Sequence, residues 1–144
     1  MQEEQDEGKA DAKNQGYRSL SIPVSHEVHI SSSSKTISSI SLDPSNSRMT
    51  VGSLDNSVRM YNFAGMDSSH RPFRDVTPDD GNPIQSIASS GDGEKVLVCT
   101  ASSSPRILDR NAKEVIQFVK GDVYINDVTN TKGHTASVTG GMVS

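Results

Sequence analysis

"MTVGSLDNSVRMYNF", Met49 to Phe63, sets two alternating apolar and polar runs on either side of an Asp-Asn-Ser break. Met49 and Val51 before the break, and Val58 and Met60 after it, fall on every second position, which is the period of a half-buried strand. Leu54-Asp55-Asn56-Ser57 between them is turn chemistry, because short Asp and Asn side chains hydrogen-bond their own backbone and tolerate left-handed dihedrals. The stretch predicts a β-hairpin.

Shifting the chain by 47 residues against itself tests whether the hairpin recurs. Ile37 meets Ile84, Ile40 meets Ile87, Met49 meets Val96, Val51 meets Val98, Arg59 meets Arg106, Met60 meets Ile107 and Asn62 meets Asp109, with no gap. "DPSNSR" lands on "SGDGEK", so turn overlays turn, and a third start stands at "GHTASV", Gly133 to Val138. Self-similarity at a fixed period marks a repeat architecture. The first unit predicts strands at Thr36 to Leu42, Arg48 to Ser53, Val58 to Phe63 and, more weakly, Pro72 to Val76. The second predicts them at Pro83 to Ser89, Lys95 to Ala101, Pro105 to Arg110 and Glu114 to Lys120, and "EVHIS", Glu27 to Ser31, predicts an extra outer strand before the first unit. Four strands per unit of about 40 to 50 residues is the arithmetic of a β-propeller blade of the WD-repeat kind. The expected class is all-β: a polar, disordered tail over residues 1–21, then a partial repeat region over 22–144. Within that region one blade is expected at 32–76, a second at 83–120 and the first strand of a third at 133–144.

Composition agrees with short strands and a thin core. Of 144 residues, 32% are hydrophobic and 4% aromatic, none is Trp, and 24 are serines. A net charge of -4, with no Lys/Arg cluster, argues against a surface that neutralises phosphates, so no direct nucleic-acid binding is expected. The single Cys99 cannot close an internal disulfide, and its apolar run "KVLVCTA" predicts a buried thiol in a reducing, intracellular compartment. No apolar run approaches the roughly 18 residues of a membrane span.

The hairpin turn also carries the repeat's polar signature. In a WD blade the third strand ends in Trp-Asp, the next repeat opens with Gly-His, and an Asp between the second and third strands takes up backbone N–H groups in the turn. Ser53 and Asp55 stand at those turn positions, Tyr61-Asn62 and Leu108-Asp109 replace Trp-Asp, and Gly133-His134 is an intact Gly-His. "SSSS", Ser31 to Ser34, fills the first Gly-His place, and Ser102 replaces the second turn Asp. The His–Asp network is therefore expected to be incomplete in every blade, with apolar packing in its stead.

Three stretches carry a narrower likeness: "IPVSHEV" (Ile22 to Val28), "FAGMD" (Phe63, Ala64, Gly65, Met66, Asp67) and "KGDVYINDVTNTKGHTA" (Lys120 to Ala136). In this order they resemble the WD repeat-containing protein 70, or gastrulation-defective, family. The resemblance implies a nuclear, non-enzymatic propeller scaffold that binds proteins, linked to chromatin, the DNA-damage response and a cullin-type ubiquitin ligase. Ligase adaptors of this kind usually carry Trp-Asp-x-Arg, from which Tyr61-Asn62-Phe63-Ala64 and Leu108-Asp109-Arg110-Asn111 depart. A seven-bladed ring needs roughly 300 residues, so the chain reads as a propeller fragment whose open sheet edge self-associates. The alternative is a truncated, non-functional or interfering product of a longer propeller.

Other chemistry is weak. His26 and His29 in "SHEVH" are spaced i, i+3 rather than i, i+4, and on a strand they face opposite ways, so neither a metal nor another cofactor is expected. "SGDGEK" lacks the spacing of a phosphate loop, and no Gly-x-Ser-x-Gly elbow occurs. Ser104-Pro105 and Thr77-Pro78 read as turns or as kinase sites. His70, Arg71 and Arg74 lie in a connection that reads first as a solvated loop and otherwise as a contact for a partner.

Overall fold

The computed structural model describes residues 26–31, 33–121 and 132–144. The expected tail lies outside the described residues, as do Ile22 to Ser25 of the first family-like stretch and residues 122–131 of the third. Among the described residues eight strands follow one another: β1 (Ile37–Leu42), β2 (Arg48–Ser53), β3 (Val58–Asn62), β4 (Arg74–Val76), β5 (Ile84–Ser89), β6 (Lys95–Thr100), β7 (Arg106–Asp109) and β8 (Glu114–Gln117). They form two antiparallel four-stranded meanders, β1-β2-β3-β4 and β5-β6-β7-β8.

The repeat register reappears in the backbone. The pairing of β1 with β2 shifts between Ile37 and Ser39, and that of β5 with β6 shifts between Ile84 and Ser86, the same place 47 residues on. Asn46 and Gly93, also equivalent, hold φ of 55° and 72° in the first turn of each meander. Asn56 takes φ of 70° in the turn after β2, a left-handed position that Asn tolerates better than most residues.

The two sheets pack face to face. Gly52, Val58 and Val76 share one row across the first sheet, Thr50, Met60 and Arg74 the next, and Val58, Met60 and Val76 of these rows pack in a core with the second sheet. There Val58 and Met60 meet Ile84, Ile87, Val96, Val98, Leu108 and Ala112 in one core. Gly52 permits the approach, since a Cβ at this position would stand 2.5 Å from Ile84 Cγ2 and 2.7 Å from Ile87 Cδ1. Serines of β1 complete the contact: Ser39 Oγ accepts the Ile87 N–H and Ser41 Oγ the Ser89 N–H, each at 3.0 Å. Arg48 Nη1 donates across to the Arg110 carbonyl at 2.8 Å.

Equivalent residues show what this interface does. Ile84 and Ile87 are 0% and 6% exposed against the first sheet, whereas Ile37 and Ile40 are 37% and 60% exposed. The same isoleucines are thus covered in one unit and open in the other, and burying each is worth about 1.5–3 kcal/mol.

Two expectations need correction. Glu27 to Ser31 form no strand; among the described residues no strand pairs with them, and the exposed Glu27 and His29 side chains lie 3.0 Å apart. Residues 132–144 form no strand either, and the Gly140-Gly141 pair lowers their β-propensity. Lys120 and His134 make a single parallel bridge, while Val138 and Val143 lie on a smaller core of Leu97, Cys99 and Ile107 on the second sheet's far face. Cys99 is 1% exposed, and burial pushes its thiol pKa up.

Candidate functional site

Each blade is tied together by a polar cluster built on its hairpin turn. In the first, Asp55 Oδ1 accepts the Ser57 N–H at 3.1 Å and the Ser57 hydroxyl. Its Oδ2 accepts the Ser33 hydroxyl at 2.8 Å and Arg59 Nη1 at 3.1 Å. Ser53, fully buried, lies 2.5 Å from the Ser33 hydroxyl, donates to the Thr36 carbonyl at 3.1 Å and accepts the Asp55 N–H at 3.3 Å. Arg59 then reaches β4, where Nε donates to Asp75 Oδ2 at 2.9 Å. Burial raises the Asp55 pKa, but hydrogen bonds from Ser57, Ser33 and Arg59 outweigh it and hold the carboxyl well below the usual range.

The second blade makes the same cluster with the acid and the hydroxyl exchanged. Ser102 takes the place of Asp55, and the carboxylate comes from Asp79 in the connection before β5, near the place of Ser33. Thr100 Oγ1 lies 2.9 Å from both Asp79 Oδ2 and Ser102 Oγ. Arg106, equivalent to Arg59, donates to Asp79 Oδ1 at 3.4 Å and to Glu114 Oε2 of β8 at 2.8 Å. For Asp79 too, burial raises the pKa and the bonds from Ser102, Thr100, Asn82 and Arg106 lower it further than that. Thus the missing histidine is replaced by a polar network rather than by apolar packing, contrary to expectation. Asp79, Arg59 and Arg106 escaped the sequence reading, although Arg59 and Arg106 coincide in the 47-residue register and an Asp pair precedes β5.

The remaining signature residues do separate work. Tyr61 is fully buried, its hydroxyl unpartnered among the described residues. Asn62 Oδ1 accepts the Ala64 N–H at 3.1 Å, and Asp109 Oδ1 accepts the Asn111 and Lys113 N–H groups at 2.8 Å, so both end their strand with a side-chain-capped turn. Gly133 lies against the Val119 carbonyl, where a Cβ has no room, and His134 is exposed, its carbonyl accepting the Gly121 N–H at 2.9 Å. The family-like residues open the β3–β4 connection: Phe63, Ala64, Gly65 and Asp67 are exposed and Met66 is partly so. His70, in the same connection, holds φ of 51°.

Two polar clefts sit at equivalent places beside the arginines. One, of about 340 Å³, lies between Arg59, His29, His70 and Asp75; the other, of about 370 Å³, between Arg106, Asn82, Gln117 and Lys120. Among the described residues no three His, Cys, Asp or Glu side chains converge as metal ligands. No helix among them is long and apolar enough to cross a membrane. The arrangement stabilises turns and presents loops.

No family model matches the chain. WD repeat-containing protein 70 of Xenopus tropicalis is 44% identical over 83% of the chain, and that of Rattus norvegicus 42% over 92%; each match covers 19% of the relative. The gastrulation defective protein 1 homolog of Drosophila melanogaster is 40% identical over 83% of the chain and 18% of its own length. Among solved structures, U3-55K and the RRP9 WD40 repeats each superpose with a TM-score of 0.55 at 15% identity. Each covers 61% of this chain, and the matches take in 28% and 27% of their own chains, a likeness of fold alone. The chain, about a fifth of the length of its curated relatives, thus carries two sheets of WD40 propeller architecture and belongs to the WD repeat-containing protein 70 family.

Proposed function

We propose that the chain serves as a non-enzymatic interaction scaffold in the nucleus, contributing to a propeller that works with chromatin and a ubiquitin ligase in the DNA-damage response. WD-repeat membership itself implies a protein-interaction scaffold. The nuclear and ligase roles rest on the family resemblance. The observation that carries the scaffold reading is the division of labour within each blade. Charged side chains at the turns are spent on holding strands, while Phe63, Ala64, Gly65 and Asp67 of the β3–β4 connection are exposed to solvent. Blades are taken as residues 32–76 and 83–120, with 133–144 leading into the next. Ser53, Asp55, Tyr61, Asn62, Asp109, Gly133 and His134 serve structure rather than chemistry.

The test is proximity labelling from the tagged protein in cells, with and without DNA damage. Nuclear signal with ligase and chromatin components is expected; exclusion from the nucleus, or a partner set without them, contradicts those roles. The open Ile37 and Ile40 face favours a second reading, in which the unit docks onto another WD-repeat chain and interferes with it.

A further inference from the structure

We propose that Thr77 is a phosphorylation site for a proline-directed kinase, and that a phosphate there loosens the polar clusters of both blades. Two Ser/Thr-Pro pairs stand in the chain, Thr77-Pro78 and Ser104-Pro105, and the fold treats them oppositely. Ser104 is 6% exposed, its hydroxyl donates to the Phe118 carbonyl, and it leads into β7, which has a strand on either side. A kinase cleft cannot reach it without opening the second sheet. Thr77 is exposed and directly follows β4, a strand of three residues at the end of its sheet that pairs with β3. Pro78 biases Thr77 toward extended backbone, the form in which a chain lies along a cleft, and a short edge strand opens at little cost. The step takes ATP as co-substrate. Thr77 Oγ1 bonds the γ-phosphorus as the bond from that phosphorus to the bridging β–γ oxygen breaks, ADP leaves with the electron pair, and the hydroxyl proton passes to the kinase's carboxylate base.

Position gives the phosphate its effect. Asp75, two residues before Thr77, takes Arg59 of the first blade at 2.9 Å. Asp79, two residues after it, takes Arg106 and Thr100 of the second at 3.4 and 2.9 Å. Two residues of chain span at most about 7 Å between Cα atoms, close to the Debye length of about 8 Å at physiological salt. A group of about −1.5 to −2 charges set between the two carboxylates repels both and competes with them for their arginines. The tie from β3 to β4 weakens, and so does the hold of the second blade on the β4–β5 connection.

The full 144-residue chain is incubated with a purified proline-directed kinase and ATP, and its tryptic peptides are read by mass spectrometry. Phosphate on the peptide of residues 75–95, lost in Thr77→Ala and kept in Thr77→Ser, is expected, with none on the peptide of residues 96–106, which carries Ser104. A detached peptide of residues 99–110 should by contrast accept phosphate on Ser104, since no sheet covers it there. Hydrogen exchange of amides 74–82 should run about two- to fivefold faster in the phosphorylated chain, a difference that shrinks as salt is raised. Ser104 modified as readily as Thr77 in the folded chain, or Thr77 left unmodified, overturns the site. Exchange unchanged or slowed by the phosphate overturns the loosening.

Discussion

Asp55 and Asp79 show that one physical requirement can be met from either side of a cluster. Each blade needs a carboxylate that an arginine of the third strand can hold while reaching the fourth; it stands in the turn in the first blade and before the first strand in the second. Asp55→Ser removes the acceptor of the Ser33, Ser57 and Arg59 bonds and is expected to cost about 1.5–3 kcal/mol. Hydrogen exchange of the turn amides from Ser53 to Val58 should speed up accordingly. The pair Ser33→Asp with Asp55→Ser copies the second blade's arrangement and should recover much of that protection; a pair as unprotected as the single variant would refute the equivalence. The same carboxylates set an acid limit. Their folded pKa values lie below the unfolded value of 3.8, so the native state binds fewer protons. Their contribution is complete above about pH 5 and drains away as pH falls through and below the carboxylate range. A denaturation midpoint that drops on acidification, and drops less in Asp55→Ser, is the expected result.

At the scale of strands, close approach governs. Gly52 faces Ile84 and Ile87 with no space for a methyl group, so Gly52→Ala should destabilise by about 1–3 kcal/mol in a urea titration, whereas Gly91→Ala, with nothing within 4 Å, should cost far less. Much of this scale was legible in the sequence. Period-two alternation and the 47-residue register located the eight strands of the described residues, most clearly β2, β3, β6 and β7, whose apolar side chains are the buried ones. Three things were not legible. Strand pairing depends on a partner, so "EVHIS" has strand composition and no strand. The last stretch has a repeat's opening residues, yet it packs as an irregular segment through Val138 and Val143. The Asp79 cluster depends on a loop folding back 21 residues before Thr100, a separation no local pattern records.

For the whole molecule, the organising relation is one sheet laid on another with one face left open. Ile37 and Ile40 occupy the places of residues that are nearly fully buried in the second unit. Self-association of the isolated chain is therefore expected in sedimentation velocity, and Ile37→Ser with Ile40→Ser should shift it toward monomer. A monomer at all concentrations before substitution would contradict that. The face-to-face packing itself is tested most directly by a cross-link. Ser41 and Ser89 lie on β1 and β5 with their hydroxyl oxygens 2.9 Å apart, a separation that brings two cysteines within reach of a disulfide. In a Cys99→Ser background, Ser41→Cys with Ser89→Cys should form an intramolecular disulfide on mild oxidation, seen as one linked peptide by mass spectrometry. Free thiols, or links only between chains, would mean that the two sheets do not pack in this way.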